Sequence, residues 1–251
     1  MVILKKGAKI YTISETYTLE EQIGQGGNGC VFSAVSSDGT EFAIKFVDRA
    51  KSKETLKRLK NEISFCKKHK HKNIIQVLEY GCIEDKYIFY IMPMYEDTLR
   101  KRIDKGINPE DAIEIFINIL QGLKYTHSHE CFHRDIKPEN ILLRAGSNEA
   151  IIADFGIAHI PKEDAVTTVE TKPSSRMANF QYAAPEQRMK GEKIDGRADV
   201  YALGLILNEM FTHKLPIGNQ YKTISDMCEE YGYMDNILFE KKDEIDRKSV
   251  V

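Results

Sequence analysis

The stretch His133-Arg134-Asp135-Ile136-Lys137-Pro138-Glu139-Asn140 decides how the rest of the chain is read. It sets a carboxylate, then an ammonium two residues on, then a carboxamide five residues on. A carboxylate can accept a hydroxyl proton, a lysine can neutralise a transferring anion, and an amide oxygen is a hard ligand for Mg²⁺. Nineteen residues after Asp135 comes Asp154-Phe155-Gly156, preceded by the apolar run AIIA, and Ala184-Pro185-Glu186 follows. One such tripeptide is common by chance; several in this order are not.

Upstream lies Ile23-Gly24-Gln25-Gly26-Gly27-Asn28-Gly29-Cys30-Val31, a G-x-G-x-x-G-x-V string. Glycines let backbone N–H groups approach phosphate oxygens. Alone the string also suits a tight hairpin, or a dinucleotide fingerprint, which needs a helix next. The run that follows, CVFSAV, reads as a strand, so the segment is strand, glycine turn, strand. Lys45 then sits in the apolar strand Phe42-Ala43-Ile44-Lys45, and Glu62 on the helix after it. Each is ordinary alone; together they offer a phosphate-binding lysine and an acid that orients it.

The texture changes along the chain. Between 17 and 95 short β-rich runs dominate (YTLEEQIG, CVFSAV, EFAIKFV, IIQVLEY, YIFYIM), with the turn residues Ser37, Asp38 and Gly39 between two of them. One helix interrupts from about 53 to 68, with Leu56, Leu59, Ile63 and Cys66 as its buried stripe. Beyond 95 the pattern is mostly helical. Asn108-Pro109-Glu110-Asp111 is a helix start, followed by Ile113, Phe116, Ile117, Leu120 and Leu123 on one face. A second helix, about 197–211, is apolar nearly all round and belongs inside a domain. The residues therefore imply a small β-rich lobe followed by a larger helical one.

In order, these motifs resemble those of a eukaryotic-type serine/threonine protein kinase catalytic domain, and YAAPEQ is similar to its bacterial members. The resemblance is specific from 17 to about 218 and fades beyond. It implies an α+β, bilobal kinase-like fold: a small antiparallel sheet lobe with one helix, a larger mainly helical lobe, and a shortened C-terminal end. The whole chain, 1–251, would be one kinase domain with an N-lobe over 17–94 and a C-lobe over 95–251.

The resemblance also assigns roles. Gly24, Gly26 and Gly29 would cover the ATP phosphates; Lys45 would bind the α- and β-phosphates and pair with Glu62. Asp135 would be the catalytic base, Lys137 would contact the transferring phosphoryl group, and Asn140 and Asp154 would hold Mg²⁺. Ile23, Val31, Ala43 and Leu142 would sandwich adenine. Met92 stands at the gatekeeper position. Pro93 would offer its carbonyl and Tyr95 its N–H to the base, so a proline without N–H is compatible there. Asp199 would brace the catalytic loop.

The implied activity is ATP- and Mg²⁺-dependent transfer to serine or threonine hydroxyls of a protein substrate. Autophosphorylation through a transient homodimer is expected among Thr167, Thr168, Thr171, Ser174 and Ser175, with Arg134 as the cation for the phosphate. Two alternatives stay open: a nucleotide-binding pseudokinase acting as a scaffold, and a small-molecule kinase of related fold. All of Lys45, Asp135, Asn140 and Asp154 are present, and HRDIKPEN with YAAPE speaks against the small-molecule class. Departures remain. Ala178-Asn179 stands where many such kinases have Gly-Thr, and Asp246-Arg247-Lys248-Ser249 only faintly matches D-x-x-R-P-S.

Composition bounds the rest. The 251 residues are 42% hydrophobic and 29% charged, with 16 Gly and 7 Pro, enough apolar material for a core. Net charge is −2, so global charge does not argue for nucleic acid. No apolar run approaches a membrane span, no signal peptide opens the chain, and five scattered cysteines suggest no disulfide framework. The expectation is a cytoplasmic protein without membrane or nucleic-acid partners. From 48 to 72 ten Lys/Arg face three Asp/Glu, a local +7 read as a solvated helix face. The pairs His69/His71 and His127/His129 read as structural or surface.

Overall fold

The structure, a computed structural model, describes residues 4–26, 29–158, 181–188 and 194–214. These divide into two compact units, with the chain changing unit at 71/72, 74/75 and 95/96.

The first unit is a six-stranded, wholly antiparallel sheet in the order β1-β2-β3-β4-β6-β5, plus one helix. Its strands are β1 (Lys9–Tyr11), β2 (Thr16–Gly26), β3 (Gly29–Val35), β4 (Glu41–Asp48), β5 (Glu79–Ile83) and β6 (Tyr87–Pro93), and its helix is α1 (Lys53–Lys68). One face buries Ile10, Tyr17, Leu19, Phe32, Ile44, Phe46, Phe89 and Ile91 in a single core. The other receives α1, which starts where Ser52 Oγ accepts from Thr55 N. The apolar stripe of α1 is Leu59, Ile63, Phe65 and Cys66; Leu56 is only half-buried.

One strand lies outside the expected runs and one strand expectation needs correction. β1 was not legible, and the run IIQVLEY becomes a strand only at Glu79. Ile74 belongs instead to the second unit, where it makes an isolated parallel bridge to Ile152, and Asn73 Nδ2 donates to Asn118 Oδ1 and to the Ala150 carbonyl. The run is apolar because it is buried, not because it is extended.

The second unit contains α2 (Leu99–Lys105), α3 (Pro109–Ser128), α4 (Pro185–Arg188), α5 (Arg197–Thr212) and a three-stranded sheet of β7 (Asp97–Thr98), β8 (Ile141–Leu143) and β9 (Ala150–Ile152). Asn108 caps α3 through Asp111 N, with Pro109 in its first turn. Gly122 lets α3 pack against β9: a Cβ there would lie 2.8 Å from both the Asn73 carbonyl and Ile152 Cδ1. α5 is less uniformly apolar than its sequence suggests. Val200 is exposed, while Asp199, Asn208 and Glu209 are buried. Among the described residues no helix is long and apolar enough to cross a membrane.

Candidate active site

In the first unit, β2 runs into the glycine turn and β3 runs out of it, with Gly24 opposite Val31 and Gly26 opposite Gly29. Gly29 is required by the protein itself. Its φ is 132°, and a Cβ would lie 2.1 Å from the Phe46 carbonyl oxygen. At Gly26, by contrast, a Cβ would meet no described atom within 4 Å. Packing among the described residues therefore explains Gly29 and sets no described atom against Gly26.

Lys45 lies on β4 and Glu62 on α1. The ammonium is 3.4 Å from Glu62 Oε1, with side-chain exposures of 10% and 2%. Tyr90 on β6 donates its hydroxyl to the same carboxylate oxygen at 3.0 Å, a partner that no motif announces. The cross-strand pairing of Lys45 with Tyr90 explains how that hydroxyl is placed. Ala43 is buried opposite Met92, and Pro93 ends β6 opposite Phe42. Ile23 is exposed and Val31 half-buried. Tyr95 is the residue after which the chain passes to the second unit at 95/96.

The other predicted residues lie in the second unit. Lys137 Nζ donates to Asp135 Oδ2 at 2.7 Å, and Asn140 Nδ2 donates to the same oxygen at 3.1 Å and to the Asp135 carbonyl at 2.9 Å. Asp135, Lys137 and Asn140 thus converge on one carboxylate. Burial pushes the Asp135 carboxyl above its ordinary range; Lys137 opposes that shift and the Asp154 charge adds to it. Asp154 follows β9 in a left-handed conformation, φ 65°. Phe155 behind it is buried, edge-on to the His133 ring at 4.7 Å. Leu142 is half-buried on β8.

The loop carrying Asp135 is held from several sides. Asp199, fully buried on α5, accepts the backbone N–H groups of His133 (2.9 Å) and Arg134 (2.6 Å). His127 Nε2 lies 2.8 Å from the same carboxylate, which gives this histidine a definite partner. Arg134 has φ 66°, a sparsely populated conformation for a side-chain-bearing residue. It persists because Asp199 takes its N–H, Gln187 Nε2 donates to its carbonyl (2.8 Å) and its guanidinium donates to the Ile194 carbonyl (2.6 Å). Asp135 N donates to His133 Nδ1 at 3.3 Å, so Nε2 carries the hydrogen that reaches the Ala153 carbonyl.

A further cluster escaped sequence reading. Arg100 on α2 donates to Glu139 Oε1 (3.1 Å), Glu209 Oε1 (2.7 Å) and the Tyr182 hydroxyl, and Tyr182 donates to Glu209 Oε2 (2.5 Å). Up to 109 positions separate these residues, so no local pattern could expose it. The expected phosphoacceptors Thr167, Thr168, Thr171, Ser174 and Ser175, with Ala178, Asn179 and 246–249, lie outside the described residues.

The donor set suits the groups that a kinase handles. Both hydrogens of the Asn140 amide face Asp135, and no described residue donates to Asn140 Oδ1. That oxygen and the carboxylate of Asp154 are of the hard type that Mg²⁺ prefers. No described group of three or more His, Cys, Asp and Glu could hold a metal alone.

The chain belongs to the protein kinase domain family, whose model matches residues 17–249. The match thus continues past the point near 218 where the motifs fade. Among curated proteins the chain is 32% identical over 218 residues to the calmodulin-binding receptor-like cytoplasmic kinase 3 of Arabidopsis thaliana, covering 84% of this chain and 42% of that protein. It is 34% identical over 209 residues to a probable serine/threonine-protein kinase of Streptomyces coelicolor, covering 80% and 30%. It is 32% identical over 216 residues to the serine/threonine-protein kinase PrkC of Bacillus subtilis, covering 83% and 32%. The chain therefore spans between 30% and 42% of the length of these relatives. Membership brings ATP as the family's phosphoryl donor and a divalent metal as its companion.

Proposed function

We propose that this chain is an active kinase domain that transfers the γ-phosphoryl group of ATP to serine or threonine hydroxyls of proteins. The observation that carries the reading is the half-buried Asp135 carboxylate with Lys137 and Asn140 both directed at Oδ2. Asp135 accepts or orients the hydroxyl proton of the acceptor. Lys137 neutralises charge developing on the transferring group. Lys45, held by Glu62, binds the α- and β-phosphates, and the backbone around Gly24, Gly26 and Gly29 covers them. Ile23, Val31, Ala43 and Leu142 take the adenine ring, with hinge contacts from Pro93 and Tyr95. Asn140 and Asp154 would hold Mg²⁺, which supplies neutralisation of phosphate charge when bound. Catalysis by such a set is positioning and electrostatics rather than covalent chemistry.

The same reading takes 1–251 as one kinase domain, 17–94 and 95–251 being its lobes, working in the cytoplasm on protein substrates. It includes autophosphorylation within 167–175 in a transient homodimer. The test is incubation with γ-labelled ATP and Mg²⁺, alone and with a generic basic protein, followed by phosphoamino-acid analysis and intact mass. Label on serine or threonine, and added phosphate on the chain, support the reading. Retained nucleotide binding with no transfer assigns the chain to the scaffold class instead.

A further inference from the structure

We propose that the outer face of α1 is a docking surface for anionic lipid membranes. Lys53, Lys57, Lys60, Lys67 and Lys68 follow one another at spacings of four, three, seven and one, which at 3.6 residues per turn places them along one side of the helix. All five are exposed. The helix carries two acids, both engaged away from this row: Glu62 is buried with Lys45, and Glu54 pairs with Arg58 at 2.5 Å; beyond the helix, the Glu79 carboxylate is within electrostatic reach of Lys67. No described carboxylate lies in ion-pair range of Lys53, Lys57 or Lys60.

The sequence suggests a solvated face, and the structure adds an apolar margin to it. Lys67 Nζ sits 4.8 Å from the centre of the Tyr80 ring, and Tyr80 is exposed on the edge strand β5. The neighbouring Glu79 accepts a hydrogen bond from Ser14 Oγ at 2.6 Å, which draws in the turn between β1 and β2. Ile13, in that turn, is fully exposed. A lysine row beside an exposed tyrosine, with an exposed isoleucine in the turn tied to the neighbouring Glu79, combines the two attractions of a peripheral membrane site: anionic headgroups for the ammonium groups and the interfacial zone for the side chains.

Nucleic acid fits less well. Its recognition relies on arginine forks and stacked aromatics, whereas the arginine of α1 is paired with Glu54 and the row is made of lysine point charges. A fully exposed isoleucine gains nothing from a phosphate backbone.

The test is co-sedimentation of the full chain with phosphatidylcholine vesicles and with vesicles one-third phosphatidylserine, at about 0.1 M salt, where the Debye length is about 10 Å. We expect binding to the anionic vesicles only, lost at high salt. At roughly fivefold per lysine, Lys57→Gln/Lys60→Gln/Lys67→Gln should weaken it about 100-fold. Ile13→Ser should weaken the binding that remains at moderate salt, and both variants should keep the wild-type melting temperature. Equal binding to neutral and anionic vesicles, no binding to either, unchanged binding by the triple-lysine variant, or displacement of vesicles by a single-stranded oligonucleotide at equal concentration would each overturn the proposal.

Discussion

The Lys45 ammonium and the Glu62 carboxylate form an ion pair at 3.4 Å in which both side chains are almost wholly removed from water. Such a pair contributes little net stability, but breaking it strands a charge. Lys45→Met should therefore destabilise the fold by about 3 kcal/mol, read from urea denaturation. Lys45→Met/Glu62→Met should recover most of that loss while remaining inactive. A single variant as stable as wild type would contradict this account of the pair.

The two flanks of the glycine turn should behave oppositely. Gly29→Ala forces a Cβ against the Phe46 carbonyl at positive φ and should cost about 2 kcal/mol or more. Gly26→Ala meets no described atom and should change stability by less than about 0.5 kcal/mol. Its effect should appear as a raised KM for ATP. Thermal melts and ATP saturation curves on the two variants separate packing from ligand approach.

Asp199 satisfies two buried backbone N–H groups and faces His127. Asp199→Ala orphans both donors, at about 1–3 kcal/mol each. It also releases the unusual backbone of Arg134, next to Asp135. We expect stability to fall by about 3 kcal/mol and kcat to fall with it, more than KM for ATP rises. An unchanged kcat would show that the loop holds its shape without Asp199.

Burial raises the Asp135 carboxyl pKa, and Lys137 restrains the rise. A base must be ionised, so activity is lost as pH falls through that raised pKa. The acid limb of kcat/KM should therefore lie above the ordinary aspartate value of about 3.9. Lys137→Gln removes the restraint and should move the limb to higher pH, whatever it does to the maximum rate. A limb that stays put or moves down would contradict the assigned electrostatics.

Much of this was legible in the sequence because motif spacing and hydrophobic period are local. Asn108 announces α3, and Asp135, Lys137 and Asn140 meet because a short turn over Pro138–Asn140 folds them together. What escaped depends on distant chain. The clamp of Arg100 on Glu139, Tyr182 and Glu209 joins α2, the catalytic loop and α5, and Gln187 reaches back 53 positions to Arg134. Tyr90 was visible as a strand residue, but its hydrogen bond to Glu62 follows only from the register of β4 and β6. Periodicity also misled: Val200 is exposed on the helix it helped to mark as buried, because polar Asp199 and Glu209 take inward positions to hold the loop and Arg100.

The central claim rests on Asp135 as the proton-accepting carboxylate, and Asp135→Asn tests it while keeping the side chain's shape. Transfer from γ-labelled ATP should fall by roughly 10²-fold or more, with nucleotide affinity unchanged. Equal incorporation by wild type and variant would contradict the claim.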